Sequence, residues 1–148
     1  MFLNLFQQYS NSNNDEKIGF EDILHILKHP QNQYLLISTL PTTMQQCLIQ
    51  NTLSADREVS SLNEYINNHS FRIKIVVYGL HNTDPTVEKK YKQLIELGFS
   101  QVYMYLGGLF EWLLLQDIYG TNEFPTTTPC LDILKYRPKR KLEIPLLT

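Results

Sequence analysis

The run Ile73-Lys74-Ile75-Val76-Val77-Tyr78 constrains this chain most. It is β-branched and nearly all apolar, the composition of a strand buried on both faces and central in its sheet. The residues that follow, Gly79-Leu80-His81-Asn82-Thr83-Asp84-Pro85, read as a short loop running into a helix. Asp84 is placed to cap that helix and Pro85 takes its first position, a favoured pairing. Val87, Tyr91, Leu94, Ile95 and Leu97 form an apolar stripe, and Gly98 is the stop. A loop wrapped over a helix N-terminus at the end of a buried strand is a common seat for a reactive residue. Its first position here is a glycine, which has no thiol or hydroxyl to act as a nucleophile.

The other segments predict elements of the same kind. Ile18-Gly19-Phe20 reads as a short edge strand. Phe20, Ile23, Leu24 and Leu27 recur at helical spacing until His29-Pro30 ends the helix. Tyr34 to Ser38 is a continuous apolar run of strand length, broken by Pro41. Met44 to Ile49 fits either a helical turn or a loop, and Asn51-Thr52-Leu53 fits a further short strand. Ser54 or Asp56 can cap a helix through about Asn67, with Val59, Leu62 and Ile66 as its stripe. Val102 to Tyr105 is the next strand. Gly107-Gly108 turns into an apolar helix from Leu109 to Tyr119, and Gly120 ends it. Strands alternating with helices predict one α/β domain, with a mostly parallel central sheet covered by helices on both faces.

A chain of 148 residues, 43% hydrophobic and 19% charged, suits one soluble globular domain. The expected division is an N-terminal extension over 1–17, the domain over 18–127 and a basic C-terminal tail over 128–148. A formal net charge of −2 creates no global field for nucleic acid or an anionic membrane. Met1 to Phe6 is apolar but short and lacks a basic flank, so it makes a poor signal peptide. No apolar run approaches the roughly 20 residues needed to span a bilayer. Two cysteines, Cys47 and Cys130, are too few for a disulfide framework, and nothing in the sequence forces them to pair. The expected location is the cytoplasm, with no membrane association.

The order of elements resembles the rhodanese-like family, a compact α/β fold shared by sulfurtransferases and a class of phosphatases. Tyr34-Leu-Leu-Ile-Ser-Thr39 is similar to the family's early strand, and Cys47 to Leu53 lies where the family carries a glycine-histidine-isoleucine-proline-glycine-alanine segment. Ile75-Val-Val-Tyr78 precedes the active-site loop. Gly98-Phe99, Gly107-Gly108 and Trp112 resemble its late strand, double glycine and tryptophan. In active members a cysteine follows the central strand, and its thiolate carries sulfane sulfur or attacks phosphate. Here that position is Gly79, and Gly79 to Asp84 contains no Lys or Arg. The aspartate and arginine common in the early strand fall at Ser38 and Leu40. The phrase from Gly107 to Gly120, followed by Glu123-Phe-Pro-Thr-Thr127, is similar to a narrower rhodanese-like group of protists and large DNA viruses. That resemblance implies no particular activity.

Each candidate site carries two readings. The loop of Gly79, Leu80, His81, Asn82, Thr83 and Asp84 is a degenerate active site that binds an anion or other ligand, or a turn that keeps the fold's shape. Cys47 or Cys130 replaces the lost thiol, or each is a small core residue. His25, His29, His69 and His81 show no metal-ligand spacing, so no metal or cofactor is expected. Lys135, Arg137, Lys139, Arg140 and Lys141 form a basic cluster for a protein partner or nucleic acid, or a solvated face. The helix Leu109 to Leu115 is deeply buried, or one face joins a homodimer interface. The functional expectation is a catalytically inactive rhodanese-like protein that acts by binding. The alternatives are an enzyme using a displaced cysteine, or a structural component of a virion.

Overall fold

A computed structural model describes residues 16–142. Its strands are β1 (Lys17–Ile18), β2 (Tyr34–Ser38), β3 (Lys74–Tyr78) and β4 (Gln101–Tyr105), and its helices α1 (Phe20–Lys28), α2 (Ala55–Asn67), α3 (Pro85–Glu96) and α4 (Gly108–Tyr119). The four strands form one sheet in the order β1-β4-β3-β2, and every pairing is parallel. β3 is central, with Ile75 beside Leu35 on one side and Val102 on the other.

The period of two along each strand divides the core. Val76 and Tyr78 face α1 and α4, packing with Ile23, Leu109, Trp112 and Leu113. Ile75 and Val77 face α2 and α3, packing with Leu62, Val87 and Leu94. Helices therefore cover both faces, as parallel strands with no polar side require.

Several expected elements differ in detail. The edge strand is Lys17–Ile18, because Gly19 becomes the cap of α1 and Phe20 its first residue. The Asp22 carboxylate accepts the Gly19 N–H at 3.3 Å and anchors that start. Residues 51–53 form no strand. They contribute one parallel bridge, Thr52 to Leu36, because Asn51 sits at a φ of 68° that an extended run cannot contain. Val59, Ile95 and Leu97 belong to the helical stripes by spacing, yet they are exposed at the stripes' margins. α4 buries Leu109, Trp112 and Leu113, while Ile118 and Tyr119 face outward.

After α4 the chain returns across the domain as a strap. Ile49 and Thr126 form an antiparallel bridge, and Trp112 Nε1–H donates to Pro125 O at 3.1 Å. Gln116 Nε2–H donates to Phe124 O at 2.7 Å. The strap continues through a 3₁₀ turn, Ile133–Tyr136, and Tyr136 is buried in the main core. The chain from 128 to 136 thus packs on the domain that ends, on sequence grounds, at 127. Among the described residues no helix is long and apolar enough to cross a membrane. Met1 to Phe6 and residues 143–148 lie outside the described residues.

Candidate functional site

The loop at 79–84 sits at the carboxyl end of β3, where open parallel sheets place their ligand sites. Two elements fix it. α3 begins at Pro85 with Asp84 as its cap, and the Asp84 side chain accepts the Thr86 N–H at 3.0 Å. α4 comes in from the other side. Leu109 N–H donates to Gly79 O and Phe110 N–H donates to Leu80 O, both at 2.9 Å. The first amides of α4, which a helix leaves unpaired, thus bind loop carbonyls. Gly108 makes this approach possible. Its φ is +71°, and a β-carbon there would stand 2.8 Å from Gly79 O and 2.9 Å from His81 N.

The inward side of the loop is filled by the protein itself. Leu80 N–H donates to Asp84 Oδ2 at 2.9 Å, and the Thr86 hydroxyl donates to Asp84 Oδ1 at 2.6 Å. Thr39 Oγ1 lies 2.8 Å from Thr86 Oγ1. A β-carbon at position 79 would overlap Asp84 Oδ2, and would stand 2.7 Å from Val87 Cγ2 and 2.9 Å from Thr39 Oγ1. Burial by itself would raise the Asp84 pKa. The hydrogen bonds from Leu80 and Thr86, with the charge of His81, outweigh it and hold the carboxyl below its ordinary value. A fixed anion therefore occupies the Leu80 amide and the Thr86 amide at the start of α3.

The remaining loop residues turn outward. His81 Nδ1 accepts the Thr83 N–H at 3.3 Å, and Asp84 N–H donates to His81 O at 3.2 Å. Asn82 and Thr83 line an open cleft of about 650 Å³ with Glu16, Glu88 and Lys92. A second cleft, of about 370 Å³, lies along Thr39, Glu58, Thr86, Lys89 and Lys90, where Lys90 pairs with Glu58 at 3.1 Å.

The cysteines lie elsewhere. Cys47 is buried, and its Sγ–H donates to Thr128 O at 3.4 Å. Burial first, and then the neighbouring Cys130, push its thiol up to about 11. Cys130 is half-buried, and its Sγ–H donates to Asp132 O at 3.6 Å. The basic cluster begins on the 3₁₀ turn. Lys135 Nζ lies 5.8 Å from the Tyr136 ring centre, and Arg137 Nη1–H donates to Leu134 O at 2.7 Å. Lys139, Arg140 and Lys141 are exposed. Among the described residues no hydrogen bond or ion pair joins this cluster to the loop. No three His, Cys, Asp or Glu side chains of the described residues gather as a metal site.

Thr39, Thr86 and Val87 shape the loop's interior, whereas the sequence placed Val87 only in the stripe of α3 and Thr39 only at the end of β2. Thr86 follows the Asp84-Pro85 cap and was open to suspicion as its partner. Thr39 is brought in only by the pairing of β2 with β3.

A four-stranded parallel sheet in this order, with helices on both faces and a loop between the central strand and the next helix, is the fold of rhodanese-like domains. The chain is similar to the rhodanese-like domain of the Alr3790 protein from Anabaena, with 18% identity over 88% of this chain and 96% of that one, at a TM-score of 0.53. It is also similar to the BH2092 protein from Bacillus halodurans, with 15% identity over 79% and 82% of the two chains and a TM-score of 0.61. A full-length protein from Lactobacillus plantarum aligns at 18% identity over 86% and 96%, with a TM-score of 0.57. What these proteins share with the chain is the fold. No protein-family model matches the sequence, and no curated protein does.

Proposed function

We propose that this rhodanese-fold protein carries out neither sulfur nor phosphoryl transfer and works by binding a protein partner. One observation carries the reading. The place of a nucleophile beside Gly79 is taken by Asp84, Val87 and Thr39, with the Asp84 carboxylate on the Leu80 amide. An anionic substrate would meet a fixed like charge there. The competing enzyme reading needs a reactive thiol. Cys47 is buried with a raised pKa, which leaves little of the nucleophilic thiolate. The binding surface in this proposal is the basic run Lys135, Arg137, Lys139, Arg140 and Lys141, which favours an acidic partner. Unpaired thiols support a place in the cytoplasm, or in a virion if the chain belongs to the viral group that it resembles.

The purified protein and its Gly79→Cys variant are assayed for thiocyanate formation from thiosulfate and cyanide, and for aryl phosphate hydrolysis. Neither should exceed the rate without enzyme. The new side chain also has no room, so Gly79→Cys should lose about 1–3 kcal/mol of stability. Wild-type turnover that disappears in Cys47→Ala or Cys130→Ala would overturn the reading.

A further inference from the structure

We infer that Cys47 and Cys130 form a redox modification site, a dithiol that closes to an intramolecular disulfide by exchange with a low-molecular-weight disulfide and fastens the C-terminal strap to the domain. The cysteines are far apart in sequence, and the fold brings them together. Residues 46–49 run antiparallel to 126–128. Thr127 N–H donates to Leu48 O at 2.8 Å, Leu48 N–H donates to Thr127 Oγ1 at 3.1 Å, and the Thr128 hydroxyl donates to Gln46 O at 2.7 Å. The Cys47 thiol closes this ladder on Thr128 O, two residues before Cys130. Cys130 packs against the same core cluster as Cys47 and Tyr136. Burial first, and then the charge of Cys130, raise both the Cys47 thiol and the Tyr136 hydroxyl, as neighbouring groups do.

The two thiols are unequal, and the inequality sets the order of events. Cys130 is partly exposed and receives the reagent, whereas Cys47 is 3% exposed and does not. The Cys130 thiolate attacks one sulfur of the small disulfide, forms a mixed disulfide and expels one small thiolate. The Cys47 thiol then gives up its proton to solvent and attacks the Cys130 sulfur. The second small thiolate leaves and takes up a proton. Two protein thiols and one small disulfide become one protein disulfide and two small thiols, with no further oxidant. The closing step needs the Cys47 thiolate, so its rate should rise with pH up to about 11. The bond would lock a strap that already holds Trp112 through Pro125 O and leads into the basic run.

The test incubates full-length protein with glutathione disulfide, quenches with acid, and alkylates with N-ethylmaleimide in denaturant. The expected product is monomeric, lighter by two hydrogen masses, unalkylated and restored by dithiothreitol. It should melt several degrees higher than the reduced protein, because the cross-link restricts the unfolded chain. Cys130→Ser replaces a partly exposed side chain, so it should fold, gain no bound glutathione and show no shift in melting. Two alkylated thiols after prolonged oxidation would overturn the inference. So would a stable glutathione adduct on Cys130 beside a free Cys47, or a disulfide between two chains.

Discussion

Asp84 engages Leu80 N–H, Thr86 N–H and the Thr86 hydroxyl with one carboxylate. It ends the loop, starts α3 and fills the space that Gly79 leaves open. Asp84→Ala should therefore cost about 1–3 kcal/mol near neutral pH, because it leaves a half-buried amide unpaired. The pH dependence has a definite sign. The folded carboxyl titrates below its ordinary value of 3.8, so its stabilisation is present above that pH and is lost as pH falls through the folded pKa. Urea melts of wild type and variant should differ at pH 7 and converge in acid. A difference that stays constant with pH would show that the charge contributes nothing. At this scale the cap was legible, since Asp-Pro is a local signal. The contact of Thr39 with Thr86 was not, because it depends on two strands lying side by side.

Among the elements, α4 binds the loop carbonyls of Gly79 and Leu80 and also buries a core tryptophan. Trp112 is fully buried, meets Phe124 edge to face with centroids 5.0 Å apart, and donates to Pro125 O at 3.1 Å. Trp112→Ala should lose about 3–5 kcal/mol, as other large aromatic truncations do. A loss below about 1 kcal/mol in denaturant melts would mean that the helix does not seal the core. The double glycine before this helix and the apolar run within it were readable as a turn and a buried segment. The strand at 51–53 was misread, because its residues suit a strand while Asn51 takes a positive φ. A single residue's backbone angle, set by the packing around it, leaves no periodic trace.

Across the whole molecule, the described chain after 127 stays against the core through Tyr136. The sequence marks a basic C-terminal tail from 128, and Ile133 and Tyr136 pack its start against the core. Burial, with Cys130 next, raises the Tyr136 hydroxyl to about 12. Two truncations separate anchor from charge. Removal of 139–148 should leave the circular dichroism melt unchanged and weaken capture of a poly-glutamate peptide at low salt, where unscreened charge counts most. Removal of 136–148 should also lower the melting point, since it deletes a core aromatic. Undiminished peptide capture by the shorter deletion would exclude Lys139, Arg140 and Lys141 as the binding surface. Tighter binding of an RNA duplex than of the peptide would favour nucleic acid as the partner.

The sequence by itself determined the α/β class, the central place of β3, the cap of α3 and a residue without a reactive side chain at Gly79. Each of these rests on local chemistry: a β-branched run, an Asp-Pro pair, a side chain with no reactive atom. The tertiary structure decided what surrounds Gly79 and where the segment 128–136 packs. Asp84, Thr39 and Val87 meet at Gly79 only after β2, β3 and α3 have assembled. Cys47 and Cys130 join one core cluster only after the strap has paired with residues 46–49. Contacts between distant segments follow from how twisted layers stack, and spacing along one chain does not encode them.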